Sequence, residues 1–158
     1  MHKHTETVGS LSWGIKDSFR DYVSRQADFS LTVSDHASIG PGNVIQFPVK
    51  AGSGNVVWMS EGWAVFVAHG GMMRLSLKNP VVRWSDLDLV LAFEFDSGMD
   101  GTQPEHFEVA RLVEVSTQDT TRRTYRSFLL PDAVGMFNEM YDPGSELDVV
   151  TVAMEATH

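Results

Sequence analysis

Several residue types are scarce in this 158-residue sequence, and each scarcity excludes a class of function. There is no cysteine, which excludes disulfides and thiolate metal sites, so any metal must be bound by nitrogen or oxygen. The 12 Lys and Arg residues are outnumbered by 21 Asp and Glu residues, and no run of them forms a cationic stripe. We therefore expect neither nucleic acid nor an anionic membrane surface as a partner.

Long apolar runs and enzyme motifs are also missing. No stretch approaches the roughly 18 consecutive apolar residues of a membrane span, and the polar start MHKHTETVGS has no apolar signal-peptide core. We expect no membrane insertion by this chain. We expect the cytoplasm if the chain is complete as given, and the cell surface or secretion if it is a processed or excised domain. The sequence has no G-x-S-x-G elbow and no P-loop, so it does not predict an enzyme.

The residue pattern predicts one mainly β domain. With 42% hydrophobic residues, the chain can bury one core but is too short for two ordinary domains. We predict an antiparallel β-sandwich of about ten strands with two short α-helices. Residues 1–9 are predicted to be a flexible tail, and residues 10–158 the domain. The predicted strands are 29–34, 44–49, 56–59, 63–69, 72–77, 81–84, 87–95, 106–115, 124–130 and 147–154.

The clearest helical pattern lies near the start, in Leu11–Val23. One face of this segment carries a hydroxyl and a phenol among apolar groups, and the other face is charged. The residues that share the inward face are Ile15, Ser18, Phe19, Tyr22 and Val23. A second short helix is predicted over Pro131–Tyr141, with proline in its first turn.

Three polar aromatic residues are not explained by the β pattern alone. Tyr22 is either a tyrosine at the core edge with its hydroxyl at the rim, or a ligand, because a phenolate oxygen suits ferric iron. His69 precedes two glycines at the end of a predicted strand, where it either bonds to backbone and water or belongs to a site. Tyr141 precedes a Pro-Gly turn, where packing is the ordinary role. The residue pattern leaves these alternatives open.

Three stretches of the sequence carry a family resemblance: LSWGIKDSFRDYV, AHGGMMRLSLKNPVV and MYDPGSELD. In order and spacing they resemble the HtaA domain of actinobacterial haem-uptake proteins, and the resemblance runs over nearly the whole chain. It implies a β-rich domain that takes haem from haemoglobin or a neighbouring surface protein and passes it toward a membrane transporter. The implied partners are haem, a haem-donor protein and a haem transporter.

The resemblance also implies roles for individual residues and ferric haem b as the cofactor. The family's axial ligand matches Tyr22, and the histidine that hydrogen-bonds to it matches His69. Ser18 and Tyr141 match residues suited to contact the haem propionates. The apolar residues expected to cover the porphyrin are Phe19, Trp63, Met72 and Met140, the last standing where the family often has phenylalanine.

The expected function is therefore haem binding and transfer in iron acquisition or trafficking, without enzymatic activity. One alternative is a β-sandwich that binds another apolar ligand or a protein partner, with Tyr22 and His69 merely packed. The other is a haem-dependent peroxidase-like enzyme, for which His36 or His106 would have to act as the acid–base group.

Overall fold

A computed structural model describes residues 8–95, 105–115 and 119–154. These residues form twelve strands, one α-helix and three short 3₁₀ helices. The strands are β1 (Gly9–Trp13), β2 (Ser30–Val33), β3 (Ser38–Ile39), β4 (Ile45–Ala51), β5 (Val56–Ser60), β6 (Trp63–Ala68), β7 (Met73–Lys78), β8 (Val81–Ser85), β9 (Asp88–Phe95), β10 (Glu105–Val115), β11 (Arg122–Leu129) and β12 (Glu146–Met154). The helices are α1 (Asp17–Ser24) and the 3₁₀ helices η1 (Pro41–Asn43), η2 (His69–Gly71) and η3 (Pro131–Phe137). Residues 1–7 of the predicted tail lie outside the described residues, and β1 begins at Gly9.

Eight antiparallel strands of the larger sheet form a closed barrel. Their order is β1-β12-β11-β10-β9-β8-β5-β4, and β4 pairs with β1 to complete the ring. Leu11 of β1 lies opposite Val152 of β12 on one side and Phe47 of β4 on the other. All three side chains are buried, because alternate residues of each strand point into the barrel and form its core.

A three-stranded antiparallel sheet, in the order β2-β6-β7, forms the second layer. Every second residue of β6 and β7 is buried, as the period of two along a strand requires. Its inward side chains belong to the same core cluster as those of the barrel: Ala64, Phe66, Ala68, Met73, Leu75 and Leu77. The two layers therefore share one continuous core.

The prediction of a mainly β, antiparallel fold is confirmed. Each of the ten predicted strands is present to within two residues at its ends. The structure adds β1 and the two-residue strand β3, and it closes the larger layer of the predicted sandwich into a ring. Closure removes the unpaired edges that an open sheet of this size would expose.

The first helix is shorter than the predicted Leu11–Val23, and this boundary was wrong. The first part of that segment, up to Trp13, belongs to β1, and α1 begins at Asp17. Leu11 precedes Ile15 by four residues, which fits a helix, but Leu11 and Trp13 are both buried at the two-residue spacing of a strand. Between strand and helix, Ile15 adopts a left-handed conformation with φ 69° and redirects the chain.

The second predicted helix is a 3₁₀ helix that ends at Phe137. Asn138 follows with a left-handed φ of 50°, so the helix stops before Tyr141. Tyr141 thus lies in the turn between η3 and β12 rather than on a helix. None of the helices in the described parts of the chain is long and apolar enough to span a membrane.

Candidate functional site

Helix α1 is held at its start by a residue from the barrel. Its N-cap residue, Lys16, makes no side-chain cap, because lysine has no acceptor for the free backbone N–H groups. Asp148 of β12 supplies the acceptor: Oδ1 accepts the backbone N–H of Asp17 at 3.2 Å. Oδ2 of the same carboxylate pairs with the Arg20 guanidinium at 2.8 Å. The barrel therefore fixes both the start and the rotation of α1.

Tyr22 and Ser18 were predicted on the inward face of the helix, but both are exposed in the structure, and only Phe19 and Val23 of α1 are buried. Tyr22 meets His69, which follows β6 of the small sheet. The Tyr22 hydroxyl and His69 Nε2 share a hydrogen bond, and the two ring centroids lie 5.4 Å apart with their planes inclined by 47°. Tyr22 is 38% exposed and His69 is also exposed. The pair therefore joins α1 to the end of β6 at a position that solvent and ligands can reach.

A second polar pair lies beside the first. The hydroxyls of Ser18 and Tyr141 share a hydrogen bond of 2.7 Å. Ser18 precedes Tyr22 by four residues, so the two pairs lie on one face of α1, about 6 Å apart along its axis. Burial raises the pKa of Tyr141, against the opposing effect of the Ser18 hydrogen bond, so its hydroxyl is protonated at neutral pH. The Tyr141 ring is fixed edge-to-face on Phe137, with centroids 5.7 Å apart.

Two methionines flank these pairs. Met72, which follows the turn of His69, is 83% exposed, and Met140, which precedes Tyr141, is 41% exposed. Large apolar side chains are costly to expose, and unbranched thioethers adapt to apolar ligands of different shape. Exposed apolar side chains thus lie three residues after His69 and directly before Tyr141 in the sequence.

The other two predicted site residues lie elsewhere. Phe19 is completely buried, and its ring packs edge-to-face on Phe66 and Phe137 beneath the site. Trp63 begins β6, whereas His69 follows its end, so about 20 Å of extended strand separates them. Ser18, Tyr22, His69 and Tyr141 are therefore brought together, and Trp63 is not. Met72 and Met140 are close to them in sequence.

Sequence reasoning missed Asp28, in the loop between α1 and β2. Its carboxylate accepts the backbone N–H groups of Gly70 and His69, the latter at 3.0 Å. The Gly70 bond, and to a smaller extent the His69 bond, lowers the pKa of Asp28. No local pattern identifies Asp28, whereas the unsuitable N-cap Lys16 was a signal that an outside acceptor, here Asp148, must hold α1.

A cavity of about 370 Å³ lies between β7, β9, β10 and η3. Leu75, Phe93 and Met136 are among the residues that line it, and neither Tyr22 nor His69 does. Tyr22 and His69 are themselves exposed. Within the described residues, no group of three or more His, Cys, Asp or Glu side chains could hold a bare metal ion.

The fold and the site define a small closed-barrel domain with a solvent-facing tyrosine–histidine pair. The sequence profile of the HtaA family matches residues 8–153. The chain therefore belongs to the HtaA family, as its three motifs indicated. No curated protein matches the sequence.

Solved structures from Corynebacterium glutamicum share the fold. The C-terminal domain of HtaA is 21% identical, with a TM-score of 0.68, and the match covers 94% of this chain and 98% of that one. The N-terminal domain of HtaA is 19% identical, with a TM-score of 0.68 and coverages of 97% and 100%. The heme binding protein HtaB is 16% identical, with a TM-score of 0.70 and coverages of 92% and 91%. At these identities the likeness establishes the fold alone.

Proposed function

We propose that residues 10–158 bind ferric haem b, with the Tyr22 phenolate as the iron ligand and His69 hydrogen-bonded to that oxygen. The observation that carries this proposal is the exposed Tyr22–His69 hydrogen bond on an HtaA-family fold. HtaA domains belong to haem-uptake systems, and the HtaB relative of the same fold is a heme binding protein. The role we propose is haem acquisition or trafficking.

The donor atoms of the site fit haem. A phenolate is a hard, anionic oxygen ligand that favours ferric over ferrous iron. Tyr22 must lose its proton to become such a ligand, and His69 Nε2, already hydrogen-bonded to the hydroxyl, can accept that proton. The imidazolium would then keep the proton and donate its N–H in a hydrogen bond to the phenolate oxygen. Bound haem would supply the ferric iron and a large apolar face.

The groups around the Tyr22–His69 pair fit the propionates and the porphyrin of haem. Protonated hydroxyls at Ser18 and Tyr141 offer donors to a propionate carboxylate, one helical turn from Tyr22. The exposed side chains of Met72 and Met140 offer apolar surface to the porphyrin. Because these groups sit on the surface, the site suits a ligand that is taken from a donor protein and passed on to a transporter.

Transfer suits the site better than peroxidase chemistry. A peroxidase needs an acid–base group close to the iron, on the side opposite the ligand. His36 lies next to Gly62, at the end of β6 far from His69. His106 lies on β10 of the barrel, beside Arg83 and Glu94. Neither histidine is placed to act at Tyr22.

Hemin titration of the purified protein tests the proposal. The wild type should give a Soret band and a phenolate-to-iron charge-transfer band. Tyr22→Phe should lose the charge-transfer band and bind at least about 100-fold more weakly, since even outer-shell partners of a metal ligand contribute 10–100-fold. Tyr141→Phe is the matched control, because it removes a phenolic oxygen from the neighbouring Ser18–Tyr141 pair and should keep the band.

Two outcomes would contradict the proposal. An unchanged spectrum in Tyr22→Phe would rule out the ligand assignment. A wild-type protein that purifies colourless and ignores added hemin would favour a different apolar ligand or a protein partner. His69→Ala should keep the charge-transfer band and bind more weakly, with size-exclusion chromatography confirming an unchanged oligomeric state.

A further inference from the structure

The turn that carries His69 has a strained backbone. His69, Gly70 and Gly71 all adopt positive φ angles, of 55°, 62° and 91°. The two glycines accept this conformation freely, but a residue with a Cβ disfavours it. His69, which bonds to Tyr22, is therefore held in a backbone conformation that is unfavourable for a residue with a Cβ atom.

Asp28 provides the contacts that hold this turn. Its Oδ1 accepts the N–H of His69 at 3.0 Å, and its Oδ2 accepts the N–H of Gly70. Successive backbone N–H groups that converge on one carboxylate form an anion-binding nest. Hydrogen bonds to a charged acceptor are also stronger than those between neutral groups.

Asp28 is in turn fixed relative to Tyr22. The N–H of Gln26 donates to the carbonyl oxygen of Val23 at 3.1 Å, and the N–H of Phe29 donates to that of Gln26 at 3.1 Å. The Gln26 side chain also donates to the carbonyl oxygen of Tyr22 at 3.1 Å. A short, hydrogen-bonded loop therefore connects the phenol on α1 to the carboxylate that holds the His69 turn.

We propose that Asp28 is a positioning residue of the haem site: its carboxylate keeps the His69 turn in register with α1, so that Nε2 stays on the Tyr22 oxygen. The inference rests on the proposed haem binding. Asp28 contacts the main chain of the turn rather than the imidazole, so it acts through His69. Its loss should loosen the hydrogen bond to the iron ligand while the ligand itself remains Tyr22.

The test compares Asp28→Asn with Asp28→Glu and with the control Asp21→Asn. An asparagine amide presents one acceptor and one donor to two N–H groups, so it breaks one of the two bonds. Glutamate keeps the charge and should restore part of the effect. Asp21 is exposed on α1 and bonds to Arg25, so its substitution changes the net charge equally without reaching the turn.

Two measurements separate positioning from a general loss of structure. In the haem-free protein, imidazole ¹⁵N shifts report whether His69 is hydrogen-bonded, and Asp28→Asn should move them toward those of a free imidazole. In the haem complex, release to excess apomyoglobin should be about tenfold faster, the lower end of the range for outer-shell partners. The charge-transfer band should persist, and Asp21→Asn should match the wild type.

Unchanged imidazole shifts and an unchanged release rate in folded Asp28→Asn would overturn the proposal. If the wild type binds no haem, the proposed function fails, and the imidazole shifts of the haem-free protein still decide what Asp28 does. If Asp28→Asn does not fold, the wild type provides the test: the amide protons of His69 and Gly70 should shift as the Asp28 carboxyl is titrated with acid. Amide shifts that ignore this titration would equally overturn the proposal.

Discussion

Asp148 anchors α1 to the barrel, and truncating it to alanine should destabilise the fold measurably. One lost interaction is the cap on the Asp17 N–H, and such caps contribute about 1 kcal/mol. The other is the ion pair with Arg20, in which the Arg20 side chain is 18% exposed and the Asp148 side chain 25% exposed. A largely buried ion pair of this kind should contribute about 1–2 kcal/mol to stability, more than a fully exposed pair. Asp148→Ala should therefore cost about 2–3 kcal/mol and lower Tm by roughly 5–10 °C.

The substitution removes only these two interactions. The main chain of Asp148 also accepts hydrogen bonds from Trp13 Nε1 and Ser127 Oγ, and these survive truncation of the side chain. Asp148→Asn separates the two contributions, because its amide oxygen can still accept the Asp17 N–H while the charge that faces Arg20 is gone. We expect this variant to lose only the ion-pair part, about 1–2 kcal/mol.

Urea unfolding followed by circular dichroism measures both variants, with an unchanged m-value showing that the two-state comparison holds. Asp21→Ala is the control, because it removes an ion pair with Arg25 on the same helix whose side chains are 62% and 75% exposed. Such an exposed pair should cost less than about 0.5 kcal/mol. An Asp148→Ala variant as stable as Asp21→Ala would refute the anchoring role.

Two further predictions concern groups inside the barrel wall. Tyr125→Phe should cost about 1–3 kcal/mol in urea unfolding, because it leaves the buried Trp58 Nε1–H without its acceptor; an unchanged midpoint would contradict this. Burial, and secondarily the charge of Arg83, lowers the pKa of His106, so below about pH 6.5 the unfolded chain binds a proton that the folded chain resists. Stability should therefore fall between pH 7 and pH 5, and His106→Gln should lose less over this interval than the wild type; an equal loss in both would show that His106 does not contribute.

The strands of this fold could be predicted because their signal is local. Alternation of apolar and polar residues, as in Met73–Lys78, follows from one side of a strand being buried, whatever the sheet does elsewhere. Closure could not be predicted, because an open sandwich and a ring give the same alternation. The start of α1 was misplaced because Leu11 also lies four residues before Ile15, a helical spacing, whereas the burial of both Leu11 and Trp13 follows the strand period.

Contacts of the site between residues close in sequence could be predicted, whereas contacts made by tertiary packing could not. Ser18 and Tyr22 share a helix face by spacing alone, whereas the meeting of Tyr22 with His69 depends on packing between layers and was supplied by the family resemblance. The two-residue period placed Trp63 and His69 on the same face of a strand, but it did not show that they lie at opposite ends of that strand. Asp28 could not be predicted, because in the sequence a carboxylate that bonds to a distant turn cannot be distinguished from a solvated acidic residue.

Barrel closure has a consequence for the order in which parts of this protein fold. Leu11 near the start of the chain pairs with Val152 near its end, so the ring forms only by joining the most distant parts of the sequence. Pairings of this kind carry the largest loop-closure entropy and form late in folding. The carboxylate that anchors α1 arrives with that same last strand. We therefore expect α1, and Tyr22 with it, to be anchored only once β12 has joined the barrel.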